Sequence, residues 1–149
     1  MSYSVDVNIL VHASNSGSPH HERAVRFIES RAIDPDLFCL TWATIHGYLR
    51  IVTHPSIFTQ PLPPRTALAN IEALLALPRV RVIGETDSHW EALRDAAGTA
   101  PLRGNLVPDV AFAAVLAQHG VQRLYTQDRD FRRFDFLTSI DPFAAELET

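Results

Sequence analysis

The period of the apolar residues changes repeatedly along the chain, and each change predicts an element. Residues 2–6 (Ser-Tyr-Ser-Val-Asp) with Val7 form a short β-prone stretch that closes on an acid and Asn8. In 19–31, Ala24, Val25, Phe27 and Ile28 share a helical face, with Pro19 at a plausible first position. Residues 33–36 read as a turn, and 38–40 as a short extended piece. Residues 42–53 are helical, with Ile45, Leu49 and Val52 on one side. Pro55, Pro61, Pro63 and Pro64 make 54–64 a loop or hinge, and the helix 65–77 runs from there to Pro78. A strand at 79–83, a helix at 87–97 and a loop at 99–105 follow. The helix 107–119 carries Pro108 in its first turn and stops at Gly120. A strand at 121–126, a polar loop or single helical turn at 127–133 and a last strand at 136–140 complete the series.

Strands separated by helices predict parallel β-α units and a three-layer α/β domain. In such sheets ligands sit outside the carboxyl ends of the strands. The length of 149 residues suits one domain, 1–149. The only cysteine, Cys39, excludes an internal disulfide framework and a multi-cysteine zinc site.

Charge narrows the chemistry. All 13 basic residues are Arg, which removes a P-loop lysine, a Schiff-base lysine and a Ser–Lys nucleophile. With a formal net charge of -4, the chain can approach nucleic acid only through a local Arg patch or bridging metal ions. Asp6 breaks any signal pattern, and the apolar runs fall short of a membrane span, so the expectation is a cytoplasmic protein without membrane association.

Three acids take one location if this topology holds. Asp6 follows the first strand, Asp128 follows the strand at 121–126, and Asp109 lies in the first turn of a helix. If the two strands are adjacent and parallel, the acids meet at one sheet edge. Carboxylates so close repel unless a cation neutralises them, and an all-oxygen set favours Mg²⁺ or Mn²⁺ over zinc. Taken singly, Asp109 is also an ordinary helix-start acid and Asp128 an ordinary turn residue. A phosphatase or phosphotransferase with Asp6 as nucleophile lacks the usual lysine, and a dinucleotide-binding domain lacks G-x-G-x-x-G.

The stretches Val5-Asp6-Val7-Asn8-Ile9-Leu10-Val11-His12-Ala13, Leu106-Val107-Pro108-Asp109-Val110-Ala111-Phe112-Ala113-Ala114 and Thr126-Gln127-Asp128-Arg129-Asp130-Phe131 resemble the three acidic motifs of PIN-domain ribonucleases. Their order and spacing, the chain's size and the segment Gly47-Tyr48-Leu49-Arg50-Ile51-Val52-Thr53-His54-Pro55 resemble the VapC toxins of toxin–antitoxin pairs. The resemblance implies a PIN-like α/β/α sandwich with a mainly parallel sheet, and metal-dependent endoribonuclease activity giving 5′-phosphate and 3′-hydroxyl products. It also implies a VapB-like antitoxin and a homodimer. It puts the metal on Asp6, Asp109 and Asp128, makes Asp130 an additional acid, and has Asn8 and Thr126 orient the carboxylates.

One position departs from the pattern: a Glu that many PIN nucleases carry falls at Gly47, and no acid lies between Asp36 and Glu72. A non-catalytic PIN-like module that binds RNA or a partner is therefore the competing reading. Asp130 can supply a fourth acid, and His46 lies next to the vacant position. For RNA phosphates the candidates are Arg50, Arg103 and Arg129, with Arg132 and Arg133 beside them; single-stranded or loop RNA suits the pocket. Trp42 and Trp90 are aromatic surfaces for bases, or core and interface residues. The helix 65–77 is a possible partner surface.

Overall fold

A Ser-Tyr-Ser-Val strand lies at the centre of a five-stranded sheet in the computed structural model, which describes residues 1–98 and 102–144. The strands are β1 (Ser2–Val5), β2 (Leu37–Thr41), β3 (Val80–Ile83), β4 (Arg123–Tyr125) and β5 (Thr138–Ile140). Their order is β3-β2-β1-β4-β5, and every pairing is parallel. The helices are α1 (Val7–Ser14), α2 (His21–Ser30), α3 (Trp42–Val52), α4 (Pro64–Leu75), α5 (His89–Ala97) and α6 (Val107–Gln118). Short 3₁₀ turns occupy Gly104–Leu106 and Arg129–Arg133.

The period-two alternation of the strands divides the core. Tyr3, Val5, Phe38, Leu40 and Val80 pack with α1, α2, α3 and α4 on one face. Cys39, Ile83 and Leu124 pack with α5 and α6 on the other. Parallel strands covered on both faces are the expected home of such an apolar sheet. Ser4 is the polar exception on the second face, and its hydroxyl donates to the Cys39 carbonyl at 2.6 Å. The expected three-layer α/β architecture is therefore the observed one.

Boundaries differ where two elements meet without a Gly or Pro between them. The first strand stops at Val5, and Val7 opens α1, a helix the pattern did not announce. Asp6 is extended (φ -69, ψ 144) and accepts the Asn8 N–H, so it caps α1. The run Val7–Val11 is apolar because Ile9 and Leu10 are buried from a helix, not a strand. Similarly, α2 begins at His21 and not at Pro19, and β4 is confined to Arg123–Tyr125. Part of the predicted loop 99–105, residues 99–101, lies outside the described residues.

Gly120 does stop α6. With φ at +67 it donates to the Ala117 carbonyl at 3.2 Å, while the Val121 N–H reaches Leu116 at 2.9 Å. Leu116 and Val121 are both fully buried, which completes a Schellman motif and turns the chain directly into β4. A Cβ at Gly120 meets no atom within 4 Å, so the cost of a side chain there is conformational. Gly120→Ala is expected to lower stability by about 1–2 kcal/mol, and Gly120→Asn by less, read as urea midpoints at unchanged m.

Candidate active site

The sheet order creates the site. From β1 the chain moves outward through β2 to β3, then returns to lay β4 on the opposite side of β1. The connections leaving the carboxyl ends of β1 and β4 therefore diverge, and a crevice opens between them. Asp6 follows β1 directly, and Thr126 and Asp128 follow β4.

Thr126 ties the two strand ends together. It is buried, and its hydroxyl donates to the Asp6 carboxylate at 2.7 Å. The same oxygen accepts the Asp128 N–H at 3.0 Å. Below it, the Asp6 N–H donates to the Tyr125 carbonyl at 2.9 Å, continuing the β1–β4 ladder by one step. Asp128 in turn caps the 3₁₀ turn, accepting the Asp130 N–H at 2.8 Å. A single hydroxyl thus fixes one carboxylate and the backbone that carries another.

Asp109 arrives from the opposite helical layer, in the first turn of α6. It shares with Asp6 a cavity of about 140 Å³, whose walls include Val7, Thr44, Phe112 and Phe131. Burial raises the Asp109 carboxyl above its ordinary range; the charges of Asp128, Asp6 and Asp130 push the same way, and Arg133 opposes them. Burial likewise raises Asp6, against the hydrogen bonds from Thr126 and Asn8, with Asp128 adding to the rise. The acids therefore share one electrostatic environment.

The supporting residues fall into place unequally. Asn8 reaches Asp6 through its backbone N–H at 3.3 Å, a contact that does not require an asparagine side chain. Asp130 is exposed, and its carboxylate stands 3.5 Å from Arg133. Arg129 is exposed in the turn after Asp128, and Arg103 is exposed where the chain enters the turn before α6. Arg50 lies in the last turn of α3, six residues and about 9 Å of helix rise beyond Thr44. At Gly47 a Cβ would meet Val7 at 3.4 Å, so the missing acid falls where α3 crosses the start of α1, beside the cavity. Thr44, Phe112 and Phe131 were not singled out from the sequence, because only tertiary packing turns an ordinary helix or turn residue into a cavity wall.

The donor set suits a hard, oxygen-seeking cation, since among the described residues the ionisable groups lining the cavity are carboxylates. The arrangement is open: among the described residues, no three His, Cys, Asp or Glu side chains are drawn together closely enough to hold a metal ion. A larger cavity, about 370 Å³, lies between α1, α2, α3 and α4 and is walled mainly by Leu10, Ile28, Ile71 and Leu74. It contains none of these aspartates. No helix among the described residues is long and apolar enough to cross a membrane.

Comparison with known proteins agrees with this geometry. Residues 3–137 match the PIN domain family. The chain is 41% identical over 144 residues to Ribonuclease VapC48 of Mycobacterium tuberculosis, covering 97% of this chain and 99% of that protein. Its fold is similar to the crystal structure of Mycobacterium tuberculosis VapC20, a Sarcin-Ricin loop cleaving toxin (TM-score 0.62, 22% identity, 87% and 92% of the two chains). It is also similar to VapBC2 of Rickettsia felis bound to a DNA fragment from their promoter (TM-score 0.65, 16% identity, 94% and 98%).

The raised carboxyls have a thermodynamic consequence. A folded state that holds its carboxyl protons more tightly than the unfolded chain is relatively most stable at low pH, and loses that advantage as the pH rises through the raised values. In chelator at neutral pH, Asp6→Asn and Asp109→Asn are therefore expected to melt higher than the parent. The gain should disappear below the ordinary carboxyl value of 3.8. Melting curves across pH check this, and equal curves at every pH would refute it.

Proposed function

The chain belongs to the PIN-domain family, in its VapC ribonuclease branch, and from that premise we propose that it is a metal-dependent endoribonuclease toxin acting at the β1/β4 crevice. The observation that carries the reading is the Thr126 hydroxyl, which holds the Asp6 carboxylate and the Asp128 backbone together where the sheet order opens.

Asp6, Asp109 and Asp128 are the residues that would hold Mg²⁺, with Mn²⁺ as a substitute. Bound there, the ion would acidify a water and neutralise charge on the scissile phosphate. The protein's own part is positional. Thr126 and the Asn8 N–H orient Asp6, and the capped turn at Asp128 fixes the third acid. Asp130 supplies further negative charge from the same turn. Phe112 and Phe131 supply the aromatic wall of the cavity.

The substrate is single-stranded or loop RNA, whose backbone can bend into the crevice. Arg103 and Arg129 are exposed and can meet flanking phosphates, with Arg50 farther along the strand. Cleavage by activated water leaves 5′-phosphate and 3′-hydroxyl ends. The whole chain, 1–149, acts in the cytoplasm as one PIN-like domain. Its partners are a VapB-like antitoxin and a second copy of itself. Exposed Leu68 and Leu75 on α4 support a helical partner surface.

Cleavage of RNA by the purified chain should require a divalent ion, cease in chelator and return with Mg²⁺. Asp6→Asn and Asp128→Ala should abolish it while circular dichroism remains unchanged. Thr126→Val, which keeps every acid, should lower activity roughly 10- to 100-fold. Chelator-resistant cleavage, or full activity in Asp6→Asn, would sink the proposal.

A further inference from the structure

The carboxyl edge of the sheet carries more than acids. Next to Asp6, at the end of β2, stands Trp42, the first residue of α3; at the end of β3 stand Gly84 and Glu85. Neighbouring strands lie about 4.8 Å apart. Trp42 is thus one strand from Asp6, within the reach of a nucleotide whose phosphate sits at the acids.

Trp42 is built in rather than left over. Half of it is exposed (50%), although an indole could have been buried. Its inner edge rests on Gly84, where an added Cβ would come to 3.0 Å from Cδ1. The ring also leans on His46, with centroids 6.0 Å apart. The loop beneath is pinned to the end of α6: His119 Nε2 lies 2.8 Å from the Gly84 carbonyl, and the Gln118 amide donates to Thr86. Gln118 is itself held by His89 at 3.0 Å. Trp42, Gly84, Glu85 and Pro108 line a cavity of about 150 Å³ that shares two wall residues, Ala43 and Phe112, with the acid cavity. Glu85 is its one ionisable wall residue among the described residues.

We propose that this second cavity is a nucleobase subsite: Trp42, seated on Gly84, stacks on the base next to the scissile phosphate, and Glu85 favours bases that present amino donors over uracil. The inference rests on the ribonuclease reading above. A fixed aromatic face offers sequence-tolerant stacking, and a carboxylate accepts from an exocyclic amino group. The exposed ring is explained by a ligand that covers it only during turnover.

Stacking is worth about 1–3 kcal/mol per base, or roughly 5- to 150-fold in affinity. Trp42→Ala should therefore raise KM for a single-stranded oligoribonucleotide by that factor with kcat little changed, and Trp42→Phe should recover most of it. Gly84→Val, which displaces the indole without removing it, should raise KM in the same direction. Glu85→Ala should narrow the preference against uracil. Binding is read separately in the full chain carrying Asp6→Asn and Trp90→Phe, where Trp42 is the only fluorescent indole. Its emission should be quenched by the oligonucleotide and much less by a matching abasic strand. The subsite is refuted if the parent enzyme cleaves RNA while Trp42→Ala keeps its KM, or if abasic and intact strands bind and quench alike. Unchanged RNA kinetics with altered sedimentation in Trp42→Ala would make Trp42 an assembly contact instead. If the parent protein neither binds nor cleaves RNA, the ribonuclease reading fails first and the subsite falls with it.

Discussion

One buried hydroxyl holds the two halves of this molecule in register at the point where they could part. Thr126 follows β4, its N–H extends the sheet to the Ile140 carbonyl, and its side chain crosses to Asp6 after β1. The strands behind it form the centre of the sheet, so the position of Asp6 is inherited from the most buried part of the fold. A carboxylate at such a place is costly unless its oxygens find donors. Donors are provided by the Thr126 hydroxyl and the backbone at Asn8 and Val7, and burial still outweighs them. The site retains a residual demand for positive charge.

That demand grows with each element that reaches the crevice. The first turn of α6 favours an anion at Asp109 through the partial charge of the helix end. Burial and three neighbouring acids act against it, and Arg133 opposes them. Arg133 stands 3.5 Å from the Asp130 carboxylate, so it offsets part of this charge, while burial still holds the Asp109 carboxyl above its ordinary range. Conflict of this kind costs stability and is characteristic of functional sites, where a ligand supplies what the fold withholds. Under the proposed function, a divalent cation is the ligand that would answer these carboxylates.

Helix α3 shows how one element serves both sides of this arrangement. Its start is capped by Thr41, whose hydroxyl accepts the Thr44 N–H at 3.0 Å. That cap sets Ala43 and Thr44 against the acid cavity and Trp42 over the next one. One turn later, Gly47 lies against Val7, which a Cβ there would meet at 3.4 Å. The chain thus has helix packing at the point where the family resemblance places another acid.

Legibility in the sequence followed the range of the forces involved. The alternation of strands and helices, the stop at Gly120 and the acid-bearing motifs were readable, because periodicity, backbone conformation and motif spacing are local properties. Helix α1 was not, because Val5-Asp6-Val7 joins strand to helix with no punctuating residue, and only the cap at Asp6 separates them. The role of Thr126 at Asp6 was implied by resemblance, whereas the hydrogen bonds by which it acts required the β1–β4 pairing. The sequence by itself narrowed the chemistry, since the chain has acids and arginines but no lysine and a single cysteine. Only the tertiary structure decided where that chemistry sits and what surrounds it. Contacts such as Thr126 to Asp6 and Trp42 to Gly84 join residues far apart in the chain, and their partners are chosen by sheet order and helix packing, which no local pattern encodes.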